Sequence, residues 1–309
     1  LEKNPVRHIA LRECHPEWLV RRWIARIGQE ETMALCKFDN MQPPLSLRTN
    51  TLKITRDELL QKIIETGFEA EPSRLAPEGI LCHKAGNEPF QFLRDGLCQV
   101  QDESSMLVSH VVRPEAGEFI IDACAAPGGK STHLAALMKN QGRVLACDIH
   151  EHKIGLITDN VRRLGIDCIE PRLQDATNLH QHFAGQAHRV LVDAPCSGLG
   201  VLRRRPDARW RKEESLKELP ALQSAILASA ARCVKPGGVL VYSTCTLEEA
   251  ENESVIQRFL AVNPDFSIDS AGAMLPGPRP ETMLTLWPQR DGVDGFFIAR
   301  MHRSAEERA

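Results

Sequence analysis

What this 309-residue chain has little of already narrows what it can be. Aromatic residues make up only 5%, with a single tyrosine, so a surface built on extensive base stacking is not expected. No run approaches the ~18 uninterrupted apolar residues of a membrane span, and no charged-then-apolar leader opens the sequence. Excess charge is also missing: 38 basic against 41 acidic residues leave −3, so a polyanion-binding surface has to be a local patch. The ten cysteines, at 14, 36, 82, 98, 124, 147, 168, 196, 233 and 245, form no Cys-x-x-Cys pair. That removes zinc-ribbon and thioredoxin patterns, and no metal is expected. Thiols scattered through apolar segments suit a reducing cytoplasm. Leu1 stands where a Met would begin a complete chain, which leaves an upstream segment open.

What is present reads as globular, with 42% hydrophobic and 26% charged residues on a length that allows one large domain or two ordinary ones. Residues 1–45 carry Trp18, Leu19, Trp23, Ile24 and Ile27 at helical spacing, with Arg21, Arg22 and Arg26 opposite, and end at Pro43-Pro44. Residues 46–110 read as a small α/β domain, with strands near 45–52, 80–82 and 97–101. A helix starts at Thr55, with Glu58 completing a capping box, and stops at Gly67. The boundary is placed near 103–117, and residues 111–309 form the larger domain. There the rhythm becomes strand, Gly/Pro turn, helix. Strands are expected at 119–123, 144–148, 168–173, 190–193 and 239–243, helices at about 131–139, 152–164 and 213–234, and edge strands at 283–287 and 296–301. Buried strands alternating with helices imply a mostly parallel, doubly wound sheet.

In such a sheet, ligands bind beyond the carboxyl ends of the strands. Those ends carry Asp122-Ala-Cys-Ala-Ala-Pro-Gly-Gly-Lys130, Asp148, Asp175, Asp193-Ala-Pro-Cys196 and Ser243-Thr-Cys245. Gly128 and Gly129 permit a tight turn and close approach to backbone N–H groups, or serve packing alone. Gly129-Lys130-Ser131 would end a phosphate-binding loop, but Cys124 stands where its first glycine belongs. Asp148 follows the turn by roughly 20 residues, where an acid meets ribose hydroxyls. A glycine turn and this carboxylate without a phosphate motif point to S-adenosylmethionine. Asp175 either meets the adenine amino group or caps the next segment.

Asp193 is placed to contact a base at N3, and Pro195 stiffens its loop. An amino-group methyltransferase would carry an aromatic where Cys196 stands. A lone cysteine is usually a small buried hydrophobe; two at adjacent strand ends beside a cofactor turn suggest chemistry. C5 of cytosine is too weak a nucleophile to take a methyl group until a thiolate adds to C6, and acid assistance at N3 stabilises the charge that develops. The stretch Arg203-Arg-Arg-Pro-Asp-Ala-Arg-Trp-Arg-Lys212 holds six basic residues and one acid. Arg203, Arg204, Arg205, Arg209 and Arg211 are expected to contact RNA phosphates, the alternative being a solvated face. Trp210 either packs or stacks on a base.

Together these residues resemble the RNA cytosine-C5 methyltransferases of the Sun/Fmu (NOL1/NOP2/Sun) family, over essentially the whole chain. Asp122 to Lys130 looks like the family's cofactor motif, Asp193-Ala-Pro-Cys-Ser-Gly198 like its fourth motif and Ser243-Thr-Cys-Thr246 like its sixth. Val100-Gln-Asp-Glu-Ser-Ser105 and Asp291-Gly-Val-Asp-Gly-Phe-Phe297 resemble elements flanking the catalytic sheet. The resemblance implies a class I Rossmann-like methyltransferase domain behind a small RNA-recognition-like domain. It implies cofactor contacts at Cys124, Ala125, Ala126, Pro127, Gly128, Gly129, Lys130, Asp148, Asp175 and Asp193. It makes Cys245 the nucleophile and Cys196 the aid to product release, with Asp193 and Lys130 in the catalytic set. His15-Pro-Glu-Trp-Leu-Val-Arg-Arg-Trp23 and the arginine stretch look most like bacterial enzymes acting on 16S ribosomal RNA, which usually carry an upstream helical NusB-like domain. A cytoplasmic monomer with an RNA partner and no membrane is expected. Transfer RNA as substrate, a non-catalytic ribosome-assembly factor and a phosphate-loop nucleotidase stay open as alternatives.

Overall fold

Turn chemistry divides the chain into two sheets joined by one buried helix. A computed structural model describes residues 4–84 and 90–305; Leu1 and the last four residues lie outside the described part. Strands β1 (Leu45–Thr49), β2 (Glu69–Pro72), β3 (Gly79–Lys84) and β4 (Cys98–Val100) form an antiparallel sheet in the order β2-β3-β1-β4. The helix Arg56–Glu65 covers it, started by the expected capping box: Thr55 Oγ1 accepts from Glu58 N at 3.3 Å, and Glu58 Oε2 accepts from Thr55 N at 3.0 Å. Leu59 and Ile63 on this helix meet Leu47, Ile80 and Cys82 in a dry core. Strand β2 has no counterpart in the sequence reading, because Glu-Ala-Glu-Pro is a charged edge strand without an apolar alternation.

The larger sheet comprises β5 (Phe119–Asp122), β6 (Arg143–Asp148), β7 (Ile169–Leu173), β8 (Ala187–Asp193), β9 (Val234–Thr244), β10 (Phe266–Asp269), β11 (Leu284–Leu286) and β12 (Phe296–Arg303). Its order is β10-β12-β9-β8-β5-β6-β7, with β11 beside β12. The five strands from β7 to β9 are parallel, and β12 runs antiparallel to β9 and to β10. From β5 the chain moves outward to β6 and β7, then returns to lay β8 on the other side of β5. The crevice at that reversal is where a doubly wound sheet binds ligands.

Two expectations change. The segment read as a boundary near 103–117 contains the helix Glu103–Val112, capped by Asp102, whose Met106, Leu107, Val108 and Val111 are fully buried. Leu107, Val108 and Val111 pack with Ile120, Val241 and Ile298 under the large sheet. The helix expected over 213–234 begins only at Leu219, after a 3₁₀ turn at Glu213–Leu216, because Pro220 is tolerated only in a first helical turn.

The three N-terminal helices, Pro5–Arg12, Glu17–Ile27 and Gln29–Asp39, do not form a free-standing unit. Ile9, Leu19, Val20, Trp23 and Leu35 bury themselves against Leu199, Leu202, Ala208 and Leu216 in the connection after β8, and against Leu247. Each such side chain contributes roughly 1.5–3 kcal/mol on leaving water. Arg22 pairs with Glu213 at 2.7 Å and also with Glu248, and Arg26 pairs with Glu253 at 2.6 Å. The basic helix face thus anchors the helices to the larger domain. No helix among the described residues is long and apolar enough to cross a membrane.

Candidate active site

The strand ends converge on a cleft of about 940 Å³ whose walls include Cys124, Pro127, Asp148, Asp175, Asp193 and both cysteines 196 and 245. Its floor is the turn after β5. Ala125 N donates to Cys147 O at 2.7 Å, and Gly128 N to Ala125 O at 2.7 Å, closing the loop over the neighbouring strand. Gly128 has φ +99°, a left-handed conformation that strains any residue with a side chain, although a Cβ there would make only ordinary contact with Ile157 at 3.4 Å. Gly129 opens the helix Gly129–Leu137, whose first N–H groups face the crevice end. Ala126, which also borders the cleft, precedes a cis Pro127.

Asp122 at the end of β5 is fully buried. Burial pushes its carboxyl up to about 7, and the nearby Asp193 charge adds to this despite a hydrogen bond from Ser131 Oγ at 2.7 Å. Asp148 accepts from His150 N at 2.9 Å and lies 3.8 Å from Lys153 Nζ. Asp175 both caps and lines the cleft: its Oδ1 accepts from Thr177 N at 2.8 Å and Thr177 Oγ1 at 2.7 Å. Lys130 Nζ donates to Asp193 Oδ2 at 2.6 Å, while Ser243 Oγ donates to Asp193 Oδ1 at 2.8 Å. With its ammonium spent on Asp193, Lys130 does not offer the cation a phosphate loop needs.

The two cysteines come together because β8 and β9 are parallel neighbours with Asp193 opposite Ser243. Cys196 and Cys245 follow those strands, and their Sγ atoms are 3.4 Å apart. Their surroundings differ. The hydrogen bond from Cys196 holds the Cys245 thiol below its ordinary pKa, helped by the positive charges of Lys130 and Arg205 against burial and Asp193. Cys196, as the donor, is pushed well above its usual range by that bond, by burial and by the charges of Cys245 and Glu251. Of the two thiols, Cys245 is thus the one whose surroundings favour ionisation.

Residues that the motif reading passes over hold this pair in place. Glu251 Oε2 accepts from Ser197 N at 2.9 Å and from Gln223 Nε2 at 2.9 Å, while Gln223 also donates to Pro195 O at 3.0 Å. Asn252 accepts from Thr244 Oγ1 at 2.6 Å and donates to Thr246 O at 2.9 Å. The single tyrosine, Tyr242, donates to Glu251 O at 2.6 Å. Gly200 N donates to Cys245 O at 3.0 Å, and Gly295 N to Gly200 O at 2.7 Å. The signal for this framework was the polar run after Cys245, which reads as an ordinary helix start.

The arginine stretch divides into two kinds: Arg203 and Arg209 have buried side chains, which departs from the expected phosphate contact, while Arg204, Arg205 and Arg211 border the cleft. Arg203 Nε and Arg204 Nε each donate to Asp294 at 2.6 Å, and Arg204 also reaches Asp102 at 2.7 Å. Arg209 is buried, donating to Cys14 O at 3.1 Å, Asn40 Oδ1 at 2.8 Å and Asp39 O at 3.3 Å. These three guanidiniums tie the connection after β8 to other parts of the chain. Only Arg205 and Arg211 are exposed on the cleft rim. Trp210 is 62% exposed, so it does not serve the core.

Comparison with known proteins agrees with this geometry. A family model described as 16S rRNA methyltransferase RsmB/F matches residues 109–302, and a ferredoxin-like domain of the same family matches residues 15–87. A Bacillus subtilis protein named "Probable ribosomal RNA small subunit methyltransferase B" is 42% identical over 97% of this chain and 69% of its own length. The ribosomal RNA small subunit methyltransferase B of Klebsiella pneumoniae is 36% identical over 94% of this chain and 66% of its own. The chain thus spans about two thirds of the length of these relatives. The crystal structure of PH0851 superposes with a TM-score of 0.90 at 34% identity, covering 97% of this chain and 68% of that one. A Rossmann-like methyltransferase sheet behind a ferredoxin-like domain, matched by both family models and by relatives at 34–42% identity, settles the assignment: the chain belongs to the RsmB/F family of 16S rRNA methyltransferases.

Proposed function

We propose that the protein methylates C5 of a cytosine in 16S ribosomal RNA, using S-adenosylmethionine and a transient bond between Cys245 and C6 of the base. The observation that carries this reading is the cysteine pair, 3.4 Å apart and electrostatically unequal, in the wall of a cleft that also holds Asp193, itself bound by Lys130. The cleft's turn fits the cofactor: a side-chain-free Gly128, the N-terminus of the helix Gly129–Leu137, and the Asp148 carboxylate stand where a nucleoside without phosphates would lie. When bound, S-adenosylmethionine supplies an electrophilic methyl group.

The chain's own residues do the rest. The Cys245 thiolate forms a bond to C6, and the electron pair of the C5–C6 double bond moves toward N3 and O2 of the ring. The Lys130–Asp193 pair holds one proton that can be shared with N3 as negative charge builds there. C5 is then enamine-like and would take the methyl group as the methyl–sulfonium bond breaks, that bond's electron pair remaining on the cofactor's sulfur. Release breaks the C5–H and S–C6 bonds. The C5–H electrons restore the ring double bond, the proton passes to a base in the cleft, and the S–C6 electrons return to Cys245. Cys196, a protonated neighbour at 3.4 Å, stabilises the departing sulfur by hydrogen bonding. Arg205 and Arg211 on the rim meet the phosphate backbone.

The test is methyl transfer to 16S ribosomal RNA followed by bisulfite mapping. Cys245→Ala should abolish transfer, and Cys196→Ala should accumulate a protein–RNA adduct that survives denaturation. Full activity in Cys245→Ala would overturn the assignment. Transfer to transfer RNA alone would overturn the substrate while leaving the chemistry.

A further inference from the structure

Away from the cleft, at the seam between the two sheets, three ligating side chains meet from distant parts of the sequence. Glu78 comes from the turn before β3, His110 from the helix Glu103–Val112, and His133 from the helix Gly129–Leu137. One donor atom of each lies within 4.8 Å of the other two. His133 Nε2 is 2.9 Å from Glu78 Oε1, and His110 Nε2 is 3.1 Å from both Glu78 oxygens. Glu78 and His133 are buried, and His110 is mostly so.

The contact between His133 and Glu78 is close but is not a hydrogen bond: neither ring nitrogen of His133 has a partner. An unpartnered buried imidazole ordinarily costs about 1–3 kcal/mol. His110 Nε2 hydrogen-bonds to Glu78, whereas His133 Nε2 stands beside the same carboxylate without that alignment, as a donor facing a shared central cation would. Four ligands at ~2.0–2.1 Å around a tetrahedral metal stand roughly 3.3 Å from each other, close to the 2.9 and 3.1 Å spacings here. The neighbouring cation, Arg48, is turned elsewhere, donating to Gln101, Gly129 O and Thr132. A cavity of about 370 Å³, lined by His110, Arg113, Leu137 and Met274, gives an entry path on the His110 side.

We infer that Glu78, His110 and His133 bind a divalent transition metal of the zinc class, with a water in the fourth position, as a clasp between the small sheet and the catalytic sheet. Two imidazoles and one carboxylate are a donor set for borderline cations, not for magnesium or calcium, which take oxygen. No metal is legible in the sequence because positions 78, 110 and 133 share no motif spacing. The inferred ion is structural, some distance in the chain from the cysteines that perform the proposed chemistry.

The test is titration of chelator-treated protein with Co²⁺, followed by absorption, and with Zn²⁺, followed by calorimetry and thermal melting. One equivalent should bind, raise the melting temperature and show the weak visible bands of nitrogen and oxygen ligation. Glu78→Gln and His110→Gln, two variants that keep side-chain volume, should each lower affinity by roughly a hundredfold or more. The double variant Cys196→Ser/Cys245→Ser should keep the site. The proposal is overturned if wild-type protein shows no saturable binding. It is also overturned if the cobalt spectrum is that of thiolate ligation and binding disappears in the cysteine double variant.

Discussion

Gly200 is the position at which the structure makes its sharpest demand. A Cβ added there would lie 2.3 Å from Gly295 O, 2.8 Å from its carbonyl carbon and 2.9 Å from Cys245 O. Real Cβ contacts rarely fall below 3.0–3.4 Å, so Gly200→Ala requires the backbones to part by about 0.7–1.1 Å. All three neighbours are main chain, and no side chain can rotate aside. Overpacking of this kind costs about 1–3 kcal/mol. The hydrogen bonds from Gly200 N to Cys245 O and from Gly295 N to Gly200 O, at 3.0 and 2.7 Å, resist the movement. Because one displaced group is the backbone of Cys245, and a ~1 Å misplacement at a reacting group costs about a hundredfold in rate, the variant should lose activity beyond its loss of stability. Urea unfolding and single-turnover methyl transfer, both well below the variant's melting temperature, measure the two effects. Gly155 provides the control. It lies within the helix Glu151–Leu164, a Cβ there meets nothing within 4 Å, and Gly155→Ala should stabilise by about 0.5–1 kcal/mol with unchanged rate. A Gly200→Ala protein as stable and as fast as wild type would refute the inference that this glycine positions Cys245.

Other expectations follow from the same contacts. Arg209→Met should lower stability by roughly 2–3 kcal/mol, because Cys14 O and Asp39 O lose their donor, while RNA affinity per folded molecule is unchanged in filter binding. Arg205→Ala and Arg211→Ala should melt like wild type, and each should reduce the slope of log affinity against log salt by about 1. Asp122, with its carboxyl raised to about 7, favours the protonated folded state. Its stabilising effect is complete below the unfolded carboxyl range and is lost as pH rises through about 7, so Asp122→Asn should flatten the fall in stability over that window in urea titrations. Methyl transfer should fail on the acid side as Cys245 takes a proton. Lys130→Met should move that limb to higher pH, since it removes a charge that lowers the thiol's pKa.

The strands of the large sheet and the convergence of Asp148, Asp193, Cys196 and Cys245 were legible because each strand is an apolar run closed by a Gly, Pro or Asp turn. Periodicity reports burial and turn chemistry reports reversals, so these features are local. The arginine stretch was legible only in part, for the converse reason. Composition counts six cations but says nothing of Asp102 and Asp294, which lie far away in sequence and claim Arg203 and Arg204. Glu251, Asn252 and Gln223 were invisible on the same grounds, as their importance lies in which backbone groups they meet. The helix Glu103–Val112 falls where the sequence places a domain boundary, because its polar start, Asp-Glu-Ser-Ser, hides a segment whose Met106 to Val112 face is buried.

The connection after β8 carries Cys196 at its start and Arg205 at its crest, yet its apolar underside rests on the three N-terminal helices through Leu199, Leu202, Ala208 and Leu216. Trimming the protein to its Rossmann-like part would strip that bed away, leaving greasy side chains facing water and Arg209 without its acceptors. The helices from Pro5 to Asp39 are thus the bed on which the segment from Cys196 to Arg205 lies, and a fragment without them needs a substitute cushion.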